Sequence, residues 1–531
     1  MKKTKKFLIS SLILFIFAVS CAQVAPSSSQ STPVATSSQS SDSSLSSSEE
    51  SSLSSSVESS SAPDAANFEI YCVNDFHGAV NEGYNGRNYE AGIKKYFGYL
   101  EQKRKENPEH TIILSAGDMF QGSFESNFNF GQLVTEAMNA VPFDAMVLGN
   151  HEFDYGRDKL AAIQETAAFP LLGGNIYRCV DAVPVEPLED FAPYTIIERG
   201  GYKIGIVGMI GEGQTTSITS RHVSDLKFVS PENLALQTSK TLKEEKGCDA
   251  VILTIHDDAE NVVTWSSASK LGQYFDGLFT GHSHTRNKES IGGLTALQSY
   301  CNGRAYSHLT IKVSKNGVQQ VYAAIENANP STQESEKISE ICNKYFQKEE
   351  YASKANAVAG TLNANLTAYT VADLGCVAIY EKAVQDYPDL LLAMQNKQRS
   401  SVSKGEVTYA DLYRALPFNN IVYVVELPGE DIIREASYNE TYSGPNAPAT
   451  IESGQRYKIA VIDFLLFHQN DRKQYDYFPS MGTGESTLLK HYEEIPVDIT
   501  YEYVKNVLHG TIDAYKFNGG TENGFNLYRP A

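Results

Sequence analysis

The stretch Phe68-Glu-Ile-Tyr-Cys-Val-Asn-Asp-Phe-His-Gly78 decides how this sequence is interpreted. Its first six residues are mostly apolar and rich in β-forming side chains, which predicts a buried strand from Phe68 to Val73. A compact polar group follows at once, and Gly78 lets the chain turn tightly after it. A strand that runs directly into an Asp and a His predicts a functional loop at the edge of a sheet.

The same arrangement recurs along the first half of the chain. Further strand-like runs that end in polar groups are Thr111-Ile-Ile-Leu-Ser115 before Ala116-Gly-Asp118, Asp144-Ala-Met-Val-Leu148 before Gly149-Asn-His-Glu-Phe-Asp154, Ala250-Val-Ile-Leu-Thr-Ile255 before His256-Asp-Asp258, and Gly277-Leu-Phe-Thr280 before Gly281-His-Ser-His284. Strands are also predicted at Lys203–Val207 and Leu309–Val313, with helical spacing from Ile93 to Leu100 between them. This alternation predicts an α/β fold in which the loops after the strands share one rim.

The polar groups at this rim suit a metal centre. Carboxylate, imidazole and amide ligands favour divalent ions such as Zn²⁺ or Mn²⁺, and the sequence has no Cys-x-x-Cys pair for a sulfur-ligated structural zinc. Each loop alone has an ordinary interpretation, since a Gly-Asp turn or a hydrogen-bonded His256 is commonplace. The order of all five loops, and above all the rarer Gly-Asn-His-Glu, is what indicates metal binding.

The composition limits the possible partners. A chain of 531 residues with 41% hydrophobic residues can bury more than one core. Its 44 basic and 64 acidic residues give a net charge of −20, which repels a phosphate backbone, so nucleic acid is not an expected partner. Small anionic substrates remain compatible with this charge because a metal centre can reverse its sign locally.

The N-terminus is typical of an export signal. Lysines at its start precede an apolar run, Phe7–Val19, that is too short for a stable membrane span. Ala18-Val-Ser-Cys21 is similar to a bacterial lipobox, which predicts a signal peptide at 1–20 and lipidation of Cys21; an ordinary secretory signal with an incidental Cys is the alternative. The Ser-rich segment 21–66 predicts a flexible stalk. We therefore expect an extracytoplasmic protein that is lipid-anchored to the cell membrane.

The folded body is predicted to consist of two domains, at 67–330 and 356–531, joined by a helix at 331–355. In the linker, apolar residues from Ile338 to Tyr345 fall on one helical stripe. The last segment mixes strand and helix patterns without repeating the earlier order, which predicts a second α/β domain.

The order Asp-x-His, Gly-Asp, Gly-Asn-His-Glu, His, Gly-His-x-His resembles that of calcineurin-like metallophosphoesterases. More closely, Asn74-Asp-Phe-His-Gly78 and Gly149-Asn-His-Glu-Phe-Asp154 resemble the 5'-nucleotidase/UDP-sugar hydrolase family, and the resemblance covers about Phe68 to Tyr528. It implies a four-layer β-sandwich flanked by helices, a linking helix and a smaller α/β substrate-binding domain. It also implies two divalent metal ions, Zn, Mn or similar.

Position by position, the resemblance implies the following roles. One ion would be held by Asp75, His77 and His284, and the other by Asn150, His256 and His282, with Asp118 bridging both. His151, oriented by Asp154, would stabilise or protonate the leaving oxygen, whereas a loop-stiffening hydrogen bond is the alternative interpretation of this pair. Two ions about 4 Å apart activate a water and clamp the oxygens of a displacement at phosphorus. Asp258 departs from the family, which usually has Gly there.

In the second domain, the resemblance implies substrate contacts from Arg399 and from Phe418 in Leu416-Pro-Phe-Asn-Asn420. The sequence departs from the family at Gln395–Gln398, which lacks the usual glycines, and at Asp471–Phe478, which replaces a Gly-Gly-Asp-Gly-aromatic loop. An aromatic residue of that loop, Tyr477 or one of its neighbours Tyr475 and Phe478, would stack on a base opposite Phe418; packing in a core is the alternative.

These observations predict a metal-dependent hydrolase for phosphate esters outside the cell, most simply for nucleoside 5'-phosphates. Nucleoside 2',3'-cyclic phosphates and UDP-sugars are alternative substrates for the same metal core. A surface binding lipoprotein without turnover is a third interpretation. The expected partner is a small phosphate ester, with contact to the membrane only through the N-terminal lipid.

Overall fold

The computed structural model describes residues 64–85, 88–396, 398–445 and 447–517. The predicted signal peptide, Cys21 and the predicted stalk up to residue 63 lie outside the described residues. Within the described ranges, no helix is both long enough and apolar enough to cross a membrane.

Two six-stranded sheets form the first half of the body. In spatial order, the strands of the first sheet are Gly317–Asn327, Ala305–Ser314, Ala65–Val73, Thr111–Ser115, Ala145–Val147 and Leu171–Leu172. Those of the second sheet are Arg286–Ile291, Leu294–Ser299, Gly277–Phe279, Ala250–His256, Tyr202–Ile210 and Tyr194–Arg199. The predicted strands are thus confirmed, with ends that shift by a few residues. Their inner members run parallel, so that several strands of each sheet end at one rim.

The layers form because successive side chains of each strand point to opposite faces of its sheet. In Ala65–Val73, Phe68 and Ile70 pack between the two sheets, whereas Tyr71 and Val73 face helices on the outer side. In the second sheet, Ile252 faces inward in the same way and Leu253 packs outward. Because successive residues of a strand point to opposite faces, each sheet is covered by apolar packing on both sides. The result is the expected four-layer β-sandwich flanked by helices.

The remaining elements of this half are short strands and helices. The strands are Gly83–Asn85, Asn88–Glu90, Leu226–Phe228, Ile176–Val180 and Val183–Pro187. The α-helices are Gly92–Glu106, Phe124–Asn127, Gln132–Ala140, Arg157–Thr166, Ser220–Val223, Pro231–Lys240 and Ala259–Val263. The predicted helical stripe from Ile93 to Leu100 is buried in the first of these helices.

The segment predicted as one linking helix is broken into two, Glu336–Phe346 and Glu349–Ala355. Lys348 adopts an extended backbone conformation, with φ −64° and ψ 124°, which ends one helix before the next begins. Ile338, Cys342 and Tyr345 are buried as the stripe predicts. The pattern of apolar residues revealed their burial but not the break, because Lys348 lies beyond the stripe.

A second set of sheets follows the linker. A three-stranded sheet contains Gly405–Thr408, Val358–Leu362 and Thr511–Ile512, and a five-stranded sheet contains Glu440–Ser443, Leu390–Gln395, Arg456–Ile462, Val422–Pro428 and Thr487–His491. The helices are Ala368–Asp386, Tyr409–Ala415, Gly429–Ala436, Asp463–Leu466, Ser480–Thr483 and Pro496–Glu502. One core spans these elements, which confirms a second α/β domain.

Candidate metal centre and active site

The five polar loops predicted from the sequence converge on one site at the rim of the two sheets. Several of their residues adopt positive φ angles, which is uncommon for any residue other than glycine: Asp75 (50°), His77 (51°), Asp118 (57°), His282 (84°) and His284 (58°). Such backbone strain costs free energy and persists where the surrounding structure enforces it, typically at functional sites.

Asp75, His77 and His284 form the first cluster, with one potential ligand atom from each within 4.8 Å of the others. The Nε2 atoms of His77 and His284 are 2.8 Å apart. His77 Nδ1 lies 3.0 Å from the main-chain oxygen of Gln121, which can only accept a hydrogen bond, so its Nε2 lone pair is left free to face the cluster. Burial, together with the neighbouring charge of Arg399, lowers the pKa of His77 and keeps that lone pair available.

Asp118, His256 and His282 form the second cluster on the same distance criterion. His256 Nδ1 donates to the main-chain oxygen of Ala116 at 2.7 Å, which again directs Nε2 toward the cluster. The Oδ1 atom of Asn150 lies 3.1 Å from His256 Nε2 and 3.1 Å from His282 Nδ1, which places it among the potential ligand atoms of the second cluster. All seven predicted ligand side chains are therefore brought together.

Asp118 lies between the two clusters. Its Oδ2 atom is 3.3 Å from His256 Nε2 and 3.9 Å from His77 Nε2, and this buried atom has no hydrogen-bond partner among the described residues. An unpartnered buried carboxylate oxygen is costly unless a cation occupies the space beside it. Burial opposes the charge on Asp118, but the neighbouring histidines, with His256 first among them, together outweigh that effect and hold the carboxyl pKa well below its usual value. These residues fit two divalent ions, one at each cluster, and Asp118 is the residue that would contact both.

Glu152 holds two of the site loops in place through hydrogen bonds to their main chain, a role that was not predicted. Its buried carboxylate accepts the main-chain N–H groups of Asp118 at 2.8 Å, Met119 at 2.8 Å and Gly149 at 2.7 Å. Burial, reinforced by the charge of Asp118, raises the pKa of Glu152 to about 7. The rare Gly-Asn-His-Glu motif was the available signal, because it includes this residue.

Gly149 is required by the close approach of two loops. A Cβ atom there would lie 2.2 Å from Asp118 Oδ1 and 2.8 Å from His256 Cε1. Any larger residue would therefore displace ligands of the second cluster.

The predicted His151–Asp154 pair is formed beside the clusters. His151 Nδ1 donates to Asp154 Oδ2 at 2.7 Å, and Arg399 Nη2 of the second domain donates to His151 Nε2 at 2.6 Å. Since a guanidinium can only donate, this contact makes His151 the neutral tautomer with its proton on Nδ1. Burial lowers the pKa of Arg399, and its guanidinium carbon lies 5.1 Å from the ring centroid of Phe418.

A cavity of about 320 Å³ opens beside His151 and extends between the two domains. Tyr155 of the first domain and Phe418, Phe464 and Tyr477 of the second are the Phe and Tyr rings in its wall, and amide and hydroxyl groups provide most of the rest. Among the three aromatic residues proposed for the altered loop, Tyr477 lines this cavity, whereas Phe478 is fully buried in the core of the second domain. Tyr477 stacks on His468 with ring centroids 3.7 Å apart.

Sequence reasoning missed several residues of this cavity, notably Phe464, His468 and Arg221. Phe464 lies two residues after the strand Arg456–Ile462, in an apolar stretch of sequence, and resembles a core residue. Arg221 comes from a first-domain segment with no motif, and only the packing of the domains brings it to the cavity. No pattern within the sequence predicts such contacts.

The departures from the family pattern also have structural consequences. Asp258 precedes the short helix Ala259–Val263 and donates its main-chain N–H to Asp257 Oδ1 at 2.9 Å. Gln395 begins the segment that lacks the family's usual glycines, and its side chain donates to the main-chain oxygen of Ala372 at 2.8 Å. Gly375 makes room for it, since a Cβ there would lie 2.3 Å from Gln395 Nε2. The predicted loop residue Lys397 lies outside the described residues.

Together these groups can perform displacement at phosphorus. Two divalent ions, when bound, supply charge neutralisation for phosphate oxygens and a more acidic water. The main-chain N–H of His151 donates to Asp118 Oδ1 at 2.9 Å, which couples the position of the imidazole to that carboxylate. Arg399 adds a guanidinium, whose planar set of donors is suited to phosphate.

Comparisons with known proteins match both halves of this structure. A family model described as Calcineurin-like phosphoesterase matches residues 68–286, and one described as 5'-nucleotidase, C-terminal domain, matches residues 355–461. The chain is 32% identical to an apyrase from Tabanus yao over 42% of this chain and 41% of the apyrase. It is 25% identical to a 5'-nucleotidase from Vibrio cholerae over 75% of this chain and 78% of that protein.

Among solved structures, the 5'-nucleotidase precursor from Thermus thermophilus matches with a TM-score of 0.69 and 18% identity, covering 88% of this chain and 100% of that one. At this identity the likeness concerns the fold. The match to the apyrase spans less than half of that protein. The two family models, in the same order as the two sets of sheets, show that the chain belongs to the 5'-nucleotidase family of calcineurin-like phosphoesterases.

Proposed function

We propose that this protein is a dinuclear metal-dependent phosphohydrolase, and that its preferred substrates are nucleoside 5'-monophosphates. The observation that supports this most directly is Asp118 Oδ2, a buried oxygen without a hydrogen-bond partner among the described residues, placed between two ligand clusters. A binding protein without turnover has no need of such an arrangement. The proposed catalytic residues are His151 and Asp154, and the proposed ligands are the six side chains of the two clusters together with Asn150.

The cavity supports a substrate with an aromatic ring. Its lining includes Asn150 and His151 beside the ligand clusters together with Phe418, Phe464 and Tyr477. A phosphate at the metal centre would therefore leave its organic group among aromatic side chains. Stacking of a nucleobase on an aromatic side chain contributes about 1–3 kcal/mol.

Phe418→Ala tests this substrate class. The variant should raise KM for adenosine 5'-monophosphate about 5- to 150-fold, because one stacking surface is lost. KM for ethyl phosphate, which has no ring, should stay unchanged, and metal content should equal that of the wild type. The assay requires added Mn²⁺ or Zn²⁺ and should include a 2',3'-cyclic nucleotide and a UDP-sugar. An unchanged KM for the nucleotide, or a cyclic nucleotide or UDP-sugar as the better wild-type substrate, would replace the 5'-monophosphate proposal.

We also propose that the protein acts outside the cytoplasm and is anchored by lipid on Cys21. The basic and apolar residues before Cys21 and the Ser-rich segment after it support this proposal. Stable anchoring takes at least two acyl chains, as a lipidated N-terminal cysteine can provide. The full chain with Cys21→Ser should move from the membrane to the supernatant fraction, and equal membrane retention would refute the anchor.

A further inference from the structure

The segment Gly211–Val223 of the first domain reaches the cavity without contributing to either ligand cluster. It contains a short 3-10 helix, Glu212–Ser217, and the α-helix Ser220–Val223. Thr216, Ser217, Thr219 and Arg221 all line the cavity, as the aromatic residues of the second domain do. One wall of the ring-binding cavity therefore belongs to the domain that also holds the metal centre.

Arg221 joins this segment to the second domain through two contacts. Its Nη1 forms an ion pair with the carboxylate of Asp463, and its Nη2 donates to the main-chain oxygen of Asn419 at 3.4 Å. Asp463 immediately precedes Phe464, and Asn419 immediately follows Phe418. The Arg221 guanidinium thus contacts the residue next to Phe464 and the residue next to Phe418, and both of these aromatic side chains line the cavity.

The contact with Asp463 is not easily replaced. The Asp463 side chain is only 1% exposed, and no other Lys, Arg or His in the described part of the chain forms an ion pair with it. Its Oδ1 accepts the main-chain N–H of Ile421 at 3.0 Å, which ties the carboxylate to the segment after Phe418. Removing Arg221 would leave a buried charge without its cation, so the local structure must rearrange.

His468 fixes the same segment at a second point. Its Nε2 lies 3.1 Å from the main-chain oxygen of Thr216, and its Nδ1 lies 2.7 Å from Asp476 Oδ1. The ring stacks on Tyr477 at 3.7 Å and meets Phe464 edge to face at 6.0 Å. The segment is therefore attached to the second domain at two points, Thr216 and Arg221.

We propose that Arg221 is a positioning residue for substrate specificity: supplied by the metal-binding domain, it holds Phe418 and Phe464 at the spacing that accepts a planar ring. This inference rests on the proposed function, since the ring is taken to belong to a phosphate ester. It predicts that Arg221 affects the binding of the ring and not the chemistry at phosphorus. Because Arg221 is already paired with Asp463 and Asn419, it need not contact the phosphate.

Arg221→Ala and Arg221→Lys test this proposal in the metal-loaded protein. Arg221→Ala should raise KM for adenosine 5'-monophosphate about 5- to 50-fold, within the range of a lost stacking surface, while kcat changes less than about twofold. KM for ethyl phosphate should not change. Arg221→Lys should give an intermediate KM, because an ammonium can pair with Asp463 but lacks the planar fork that also reaches Asn419.

Arg157→Gln is the matched control, since Arg157 forms an exposed ion pair with Asp225 at 2.5 Å on the same domain and does not line the cavity. It should leave both KM values unchanged. An unchanged KM for adenosine 5'-monophosphate in Arg221→Ala would overturn the proposal. An equal rise of KM for both esters would also overturn it, because Arg221 would then act at the phosphate.

Calorimetric binding of adenosine separates this inference from the proposed function. Adenosine has no phosphate, so its affinity depends on the ring-binding wall and not on turnover. It should bind Arg221→Ala about 5- to 50-fold more weakly than the wild type, and Arg221→Lys at an intermediate level. If the wild type hydrolysed neither ester but this ranking held, only the proposed function would fail. Equal adenosine affinity in all proteins, or none in the wild type, would refute the role of Arg221.

Discussion

At the scale of single residues, the metal centre depends on which nitrogen of each imidazole bears the hydrogen. His77 and His256 both place Nδ1 against a main-chain oxygen, so each presents Nε2 to its cluster. His151 differs, because its Nδ1 faces a carboxylate and its Nε2 accepts from Arg399. The same side-chain type thus presents Nε2 to a ligand cluster in two positions, whereas in the third both ring nitrogens contact neighbouring side chains.

His151→Ala should therefore separate chemistry from metal binding. We expect kcat to fall by about 10²- to 10⁴-fold, the usual contribution of a general acid or base, with two equivalents of metal retained. Kinetics with a nucleotide and elemental analysis of the purified protein provide the two measurements. His491→Ala is the control, since His491 is exposed and pairs with Glu493 at 3.2 Å. Loss of one metal equivalent in His151→Ala would instead make His151 a ligand.

The seven proposed ligands were predictable because they lie at the ends of five predicted strands or in the loops that follow those strands. Asp75 comes two residues after the strand that ends at Val73, and His256 is the last residue of its strand. Phe464 and Arg221 were not predictable, because they meet only where two domains pack together. Local sequence order specifies the metal centre, whereas long-range packing specifies the organic end of the site.

At the scale of elements, strands were predicted well because both faces of the central strands are buried. Their apolar runs are nearly continuous, as in Ala250–His256, and stop where the functional loops begin. The linker was predicted less well, since two short helices with similar apolar spacing look like one longer helix. The break at Lys348 depends on backbone conformation, which the hydrophobic pattern does not encode.

Three strands of the first sheet are joined on their outer side by His308. Its Nε2 lies 2.6 Å from Glu69 Oε2 and its Nδ1 lies 2.6 Å from Glu326 Oε1, so both nitrogens donate to carboxylates. Burial opposes a charged ring, but the hydrogen bonds to Glu326 and Glu69 outweigh it and raise the pKa of His308. Tyr71, Tyr99 and Tyr322 also face this group, and burial raises the pKa of each.

His308→Gln should therefore destabilise the protein in a pH-dependent way. A raised pKa in the folded state means that the stabilisation is complete below the unfolded pKa, about 6.5, and is lost as pH rises through the folded pKa. We expect the variant's Tm to lie about 2–4 °C below that of the wild type at pH 6, and the difference to be smaller at pH 9. The tyrosines should not contribute to this change, because their raised pKa values keep them neutral at pH 9. Glu326→Gln should show the same trend. An equal loss of Tm at both pH values would contradict this role.

At the scale of the whole molecule, the site is assembled from two domains. The first domain supplies the ligand clusters and His151, and the second supplies Arg399 and most of the aromatic wall. Polar contacts hold the two together beside the cavity: Gln121 and Asn127 donate to the main-chain oxygen of Pro417 at 3.0 Å each. Neither domain alone contains both the reactive end and the organic end of the proposed site.

Metal binding should consequently stabilise the folded chain as well as activate it. Ions that bind only the folded state raise the free energy of unfolding. The rise grows with the logarithm of the ratio of ion concentration to Kd and is about 4 kcal/mol when that ratio is about a thousand. Removing them with a chelator should lower Tm by several degrees. The stabilisation should arise at the two clusters. No described residue donates a hydrogen bond to the buried Asp118 Oδ2, and the Nε2 atoms of His77 and His284 face each other at 2.8 Å.

Asp118→Asn tests whether this stabilisation arises at the bridged centre. An amide carries no charge to hold two ions together, so the variant should bind less than two equivalents and its Tm should respond only weakly to chelator or to added Mn²⁺ or Zn²⁺. Asp158→Asn, on the exposed first turn of the helix Arg157–Thr166, is the control and should keep the full response. A wild-type Tm shift and two bound ions in Asp118→Asn would mean that the stabilising metals bind elsewhere in the protein.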